Sequence, residues 1–172
     1  MSENENKSRR PPRRDKNQAP PEFDQKTIDV RRVTRVVKGG RRFSFSVLVA
    51  AGDHKGRIGL GLGKSGNIAE AIEKAMRQAK KHLLNLPLTA ERSIPHEVEA
   101  KFGSSRVILR PAPKRGIVAG SAVRAILTLA GLRAVSGKIL SPSKNKINNA
   151  RATMAALALL RARSAVGGAS QI

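Results

Sequence analysis

The amino-acid sequence predicts an α+β protein made of two small two-layer domains, each a β-sheet covered by helix. Three observations carry that expectation. Short segments with period-two hydrophobic alternation, such as Phe43 to Ala51 and Ile94 to Phe102, are bounded by glycine-rich or polar stretches and read as half-buried strands. Each group of strands is followed by helical periodicity, Ile68 to Leu86 in the first half and Ser121 to Ala130 in the second. Pro87 then ends the first helix, and Leu88 to Ser93 reads as the connection between modules. The expected divisions are a tail over 1–25, a first domain over 26–87, a linker over 88–93, a second domain over 94–163 and a tail over 164–172.

Met1 to Gln25 mixes both charge signs with Pro11, Pro12, Pro20 and Pro21 and lacks apolar periodicity, which predicts a segment disordered until bound. Thr27 to Lys38 is rich in β-branched residues yet breaks strict alternation, as a bulged or edge strand does. Lys38-Gly39-Gly40-Arg41-Arg42 reads as a hairpin tip, its paired glycines supplying positive φ and its cations staying in water. In the next strand Phe43, Phe45, Val47, Val49 and Ala51 share one face. After a turn at Gly52 to Gly56, Ile58, Leu60 and Leu62 alternate with Gly59, Gly61 and Gly63. Three glycines on one strand face predict the close approach of another backbone, either protein or RNA. Asn67 with Glu70 predicts a capping box, and the stripe Ile68, Ala71, Ile72, Ala75, Met76, Ala79, Leu83, Leu86 a long amphipathic helix over the sheet.

In the second half, Ile94 to Phe102 and Arg106 to Arg110, joined at Gly103-Ser104-Ser105, predict a hairpin. Pro111 to Gly120 reads as a loop with Lys114 and Arg115 at its tip, and Ser121 to Ala130 as a helix that Gly131 ends. Leu132 to Leu140 reads as a further strand, and Pro142 to Asn145 as the turn into a last helix reaching Arg163.

Composition narrows the function. The 172 residues hold 34 Lys/Arg against 12 Asp/Glu, a formal net charge of +22 that suits the neutralisation of phosphates. Met1 to Gln25 holds six of the cations and five of the acids, so the excess belongs to the folded part. Cysteine is absent, which excludes disulfides and cysteine-bound metal. The most apolar stretch, Ala122 to Val135, carries Arg124 and Arg133 and is too short to cross a bilayer, so no membrane association is expected. Trp and Tyr are absent and only four Phe occur, which favours recognition of backbone and shape over stacking on splayed bases.

Catalytic patterns fail on inspection. Gly61-Leu62-Gly63-Lys64-Ser65-Gly66 fits G-x-G-x-x-G between a strand and a helix, but no apolar parallel strand follows, as a dinucleotide fold requires. Gly63-Lys64-Ser65 also fails as a Walker-type phosphate loop, because that loop's first glycine falls on Ile58. His54, His82 and His96 occupy a turn, a helix end and a strand without metal-ligand spacing. Glu97 and Glu99 share a strand face with no nucleophile beside them and are expected in surface ion pairs. A non-enzymatic binding protein is expected, without catalytic residue, metal, cofactor or small-molecule substrate.

The run Val36 to Phe45, continued by Gly52-Asp53-His54-Lys55-Gly56-Arg57 and Ile58 to Lys64, resembles the signature of the S-five family of small-subunit ribosomal proteins, of bacterial type. Further similarity lies in Ala71 to Ala79, Gly103 to Val107, Ile117 to Gly120, Ile147-Asn148 and Arg151-Ala152-Thr153, so the likeness spans Asp29 to Leu160. The resemblance implies a first domain like a double-stranded-RNA-binding fold and a second αβ domain with a left-handed crossover. It implies a structural role against small-subunit rRNA and ribosomal proteins four and eight of that subunit, near the decoding centre and mRNA entrance, with translational accuracy as the associated function. It places Lys38 to Arg42 and Lys55 to Ser65 on RNA and parts of the second domain against neighbouring proteins. Two departures are visible: Lys114-Arg115-Gly116 stands where the family has a G-x-G and is one residue shorter, and Pro142 replaces a usual glycine beside added cations Lys144 and Lys146. The candidate rRNA-binding set is Arg35, Lys38, Gly39, Gly40, Arg41, Arg42, Lys55, Arg57, Lys64, Ser65, Lys114, Arg115, Lys144, Lys146 and Arg151. A free double-stranded-RNA-binding regulator is the alternative expectation. Met1 to Gln25 is acidic for an organellar transit segment, so a cytoplasmic ribosome is expected.

Overall fold

The computed structural model describes residues 22–89 and 91–161. The expectation for the amino-terminal tail therefore lies outside the described residues up to position 21, as does the carboxy-terminal tail. Eight strands and three helices follow in the order β1 (Asp24–Val37), β2 (Gly40–Gly52), β3 (Arg57–Ser65), α1 (Ile68–Lys81), β4 (Leu83–Asn85), β5 (Val98–Phe102), β6 (Ser105–Pro111), β7 (Ile117–Ala119), α2 (Ser121–Leu129), β8 (Val135–Ile139) and α3 (Lys146–Ala158). The first sheet is antiparallel in the order β1-β2-β3-β4; the second runs β5-β6-β8-β7. The two-domain α+β reading holds. β1 is both an edge strand and bulged, its register shifting between Thr27 and Asp29. β7 and β8 pair in parallel, joined through α2.

Several elements differ from the expectation. α1 ends at Lys81 rather than at Pro87, with basic Lys80 and Lys81 in its last turn, where the helix dipole favours them. Leu83–Asn85 then pairs with Arg57, Ile58 and Gly59 as a fourth strand. The capping box is half formed. Asn67 Oδ1 accepts from the Ala69 amide at 3.2 Å, whereas Glu70 turns away to accept from the Ser65 hydroxyl. Ile94 to Glu97 precede the strand instead of belonging to it, and Ile117–Ala119, expected as loop, closes the second sheet's far edge. Of the two hairpin glycines only Gly40 has positive φ, at 121°.

Of the two backbones that the glycine face could meet, it meets protein. A Cβ on Gly59, Gly61 or Gly63 would fall inside contact of the carbonyl oxygens of Ala79, Ala75 and Ala71 respectively. These alanines repeat every four residues along α1 and are fully buried. Helix backbone, not RNA, is thus what approaches the strand. The opposite face of the first sheet is covered too. Leu48, Ala50 and Ile58 share one apolar cluster with Val123, Ile126 and Leu127 of α2, Leu109 of β6 and Leu157 of α3, so β2, expected half-buried, is buried on both faces from Val47 to Gly52. The order of layers is α1, first sheet, α2 with α3, second sheet. A helix with six buried positions out of nine, as in α2, fits between two sheets. Each large apolar side chain buried at this junction contributes about 1.5–3 kcal/mol, which explains how two small domains share stability.

The β2–β3 turn fastens the junction by hydrogen bonding the carboxy-terminal end of α2. His54 and Gly56 amides donate to Leu129 and Ala130 carbonyls, each at 3.0 Å, and His54 Nδ1 donates to the Thr128 carbonyl at 2.9 Å. Carbonyls that a helix end leaves without partners are satisfied by the other domain. Gly131, at φ 82°, lies where a Cβ would strike the His54 carbonyl. Gly131→Ala is therefore expected to lower stability by about 1–3 kcal/mol. Urea denaturation followed by far-UV circular dichroism reads that loss; an unchanged midpoint would contradict the tight docking.

Candidate nucleic-acid interface

β1 and β2 are longer than β3. Phe45 pairs with Ser65 at the end of β3, whereas the β1–β2 ladder continues through Thr34 with Phe43 and Arg35 with Arg42 to Val37 with Gly40. Beyond Phe45 the hairpin therefore projects as a two-stranded arm, and Lys38, Gly39, Gly40, Arg41 and Arg42 at its tip are all exposed. A free two-stranded ribbon has few stabilising contacts of its own. Here the Arg32 guanidinium lies 3.6 Å from the centroid of Phe43 and braces one side. Alternation puts Arg31, Arg35 and Arg42 on the same sheet face as Lys64, with Ser44 and Ser46 between them. The opposite face carries Arg32, Arg41 and Phe43.

The candidate residues do not form one patch. Lys64 and Ser65 lie at the root of the arm, while Lys55 and Arg57 lie at the far end of the sheet, along β2 on the order of 20 Å from that root and about 40 Å from the arm's tip at roughly 3.3–3.4 Å per residue. Ser65 is engaged locally, donating to Glu70 and accepting from Lys74 Nζ at 3.2 Å. Lys144 and Lys146 stand in the turn before α3 and at its first residue, and Lys146 meets Asp29 of β1 at 3.5 Å. Asp29 also binds Arg31 Nε at 2.7 Å, and Arg31 Nη2 donates to Asn145, so this cluster joins the arm's basic face to the second domain. Lys114 and Arg115 are exposed before β7, and Arg151 is exposed on α3. Arg31 and Arg32 fall outside the candidate set, although the run Arg31-Arg32-Val33-Thr34-Arg35 on an edge strand signals them.

Arg57 is the candidate with most of its charge already answered. Its Nε donates to Asp53 Oδ2 at 2.7 Å, its Nη2 donates to Glu22 at 3.1 Å, and its guanidinium lies over Phe23. Phe23 is buried and β1 begins at Asp24, so residues 23–25, expected at the end of the tail, belong to the first domain. Asp53, with a side chain only 4% exposed, also accepts from the amides of Lys55 and Arg57. Burial alone would raise its pKa, but those hydrogen bonds and the Arg57 charge outweigh burial and hold it below the usual carboxylate range. A depressed folded pKa gives stability that is present above the unfolded value near 4 and lost as pH falls through the folded value. Asp53→Asn is expected to flatten that acid limb of the stability curve, and Asp53→Ala to cost about 1–3 kcal/mol by orphaning turn amides. Urea midpoints between pH 2 and pH 6 measure both.

The G-x-G-x-x-G segment has no room for a phosphate. Gly61 and Gly63 face α1 backbone, and β3 pairs only antiparallel with β2 and β4. Glu97 and Glu99 form the expected surface pairs, with Arg110 at 3.0 Å and Arg106 at 2.8 Å. Among the described residues no helix is long and apolar enough to cross a membrane.

Residues 23–87 match the family model for ribosomal protein S5, N-terminal domain, and residues 100–167 that for ribosomal protein S5, C-terminal domain. The chain belongs to the ribosomal protein S5 family. Similar proteins include the small ribosomal subunit protein uS5 of Synechococcus elongatus, 45% identical over 81% of this chain and 78% of that one, and of Nostoc punctiforme, 44% identical over 84% and 82%. The uS5 of Mycoplasmopsis agalactiae is 48% identical over 81% of this chain, which spans 61% of that longer protein. Membership in the S5 family makes the chain a structural, non-enzymatic ribosomal protein of bacterial type, and agrees with the resemblance read from the motifs. The S5 N-terminal-domain match starts at Phe23, the residue held beneath Arg57.

Proposed function

We propose that the chain is a structural constituent of the cytoplasmic small ribosomal subunit and holds its rRNA mainly through phosphates, supporting translational accuracy near the decoding centre and mRNA entrance. The observation that carries this reading is the projecting arm, whose tip presents three cations and two glycines with no acidic residue between Val30 and Gly52. A narrow basic ribbon of this kind suits a groove between phosphate strands. Lys38, Arg41 and Arg42 bind at the tip, with Arg35 alongside and Lys64 at the root beside Ser65. Lys55 makes a separate contact at the other end of the sheet, where Arg57 reaches RNA by exchanging Glu22 for phosphate. Lys114, Arg115, Lys144, Lys146 and Arg151 extend the contact over the second domain, other parts of which face ribosomal proteins four and eight of the small subunit. Sedimentation of a tagged chain tests the proposal. Retention in small subunits after a high-salt wash, with lysine-to-rRNA crosslinks at the arm, is expected; exclusive recovery in soluble complexes would favour a free double-stranded-RNA-binding regulator instead.

A further inference from the structure

The second domain carries a surface cluster that neither its sheet nor its core requires. At the end of edge strand β5, Phe102 lies on the α3 side of the sheet, is 38% exposed, and has the Arg151 guanidinium 5.3 Å from its ring centroid. Beside it, at the β5–β6 turn, Ser104 Oγ donates to Ser143 Oγ and accepts from Asn148 Nδ2, both at 3.4 Å. These contacts are long for hydrogen bonds, so the Ser104 hydroxyl and the Asn148 amide keep capacity for another partner, while the Ser143 hydroxyl, which also accepts from the Asn145 amide at 3.3 Å, holds Ser104 in place. Among the described residues no carboxylate pairs with Arg151 or with Lys144, which follows Ser143. The first turn of α3 holds no acidic residue of its own and is capped by the neutral Asn145 side chain, which accepts from the Ile147 amide at 3.1 Å.

We infer that Phe102, Ser104, Ser143, Asn148 and Arg151 form a subsite for one unpaired nucleotide of RNA, separate from the arm. The base stacks on Phe102, the Ser104 and Asn148 side chains bind the ribose hydroxyl, and Arg151 with Lys144 neutralises the adjoining phosphates. Neutral donors and acceptors around an exposed ring, flanked by cations, form a pattern suited to a single strand rather than a regular duplex. In a chain with no Trp or Tyr, this is an aromatic placed with the means to hold a base. The inference rests on the RNA-binding reading above and adds a sequence-tolerant, single-strand contact to it. Because the junction core fixes the two domains, subsite and arm engage one RNA body together.

The test uses the full chain with short oligoadenylate and with a duplex of equal length. Phe102→Leu keeps apolar bulk but removes the ring, and is expected to weaken single-strand binding about fivefold or more while leaving duplex binding unchanged. Since the chain has no cysteine, Ser104→Cys supplies a single thiol for a photo-crosslinker in assembled small subunits. Crosslinks from position 104 to rRNA are expected. Unchanged single-strand affinity in Phe102→Leu, or crosslinks from position 104 to protein alone, would overturn the subsite. Loss of binding on Arg41→Ala/Arg42→Ala in the same assay would leave the arm's role standing, so the two readings fail separately.

Discussion

Gly61→Ala is expected to destabilise the protein by about 3 kcal/mol, among the largest effects of any single methyl group in this fold. The added Cβ meets the Ala75 carbonyl oxygen and the Ala79 amide, which are backbone atoms of α1 that cannot swing aside as a side chain would. Relief requires α1 to lift from β3, which opens the contact of Val47 and Val49 with Ala71 and Ala75 as well. For a chain of this size such a loss lowers the melting temperature by roughly 6–12 °C. Gly66→Ala is the control, since nothing lies within 4 Å of its Cβ position, and its effect should stay within about 0.5 kcal/mol. Thermal denaturation of both variants decides the matter. Equal melting temperatures would show that α1 does not sit on the glycine strand as described. Nucleotide binding lost on replacing Gly63 would instead revive a phosphate loop, for which the packing leaves no space.

The glycine strand also marks how far the sequence could be read. Alternation at Gly59, Gly61 and Gly63 announces that a backbone approaches, but not whose. The answer was present in the spacing of Ala71, Ala75 and Ala79, three small residues at four-residue intervals on the helix that follows. Matching the two periods requires knowing that this helix folds back on this strand, which is tertiary information. β4 and β7, at three residues each, are too short for period two to emerge, and Leu83 fits the preceding helical stripe as well as it fits a strand. The burial of Leu48 and Ala50 follows from the second domain lying against them, and nothing local to β2 encodes that contact. Turn chemistry was more legible. Gly103 and Gly131 take positive φ where a turn and a helix end were expected, and the hairpin tip stands exposed with its cations. Arg57 illustrates a remaining difficulty, because a cation counted as available from sequence is already engaged by Asp53 and by Glu22, 35 positions away.

Arg41→Ala/Arg42→Ala is expected to lower the slope of log affinity against log salt by about 1.8, since each cation released from a duplex phosphate contributes about 0.9. The loss should be nearly independent of RNA sequence, as phosphate contacts are. Stability should hardly change, because both side chains are exposed and make no ion pair among the described residues. The single variants carry additional information. Adjacent residues on a strand point to opposite faces, so Arg42 shares a face with Arg35 and Lys64 while Arg41 shares the other with Arg32 and Phe43. Equal slope changes from the two singles mean that the arm lies within a groove with phosphates on both sides. A change confined to Arg42 means that RNA lies on the face leading to Lys64 and the second domain. Arg57→Ala should behave differently, reducing stability more than salt dependence, because its guanidinium already bridges two carboxylates and covers Phe23. Filter binding of rRNA fragments over a range of salt measures every slope. An unaltered slope in the double variant would detach the arm from RNA and remove the ground on which the proposed function stands.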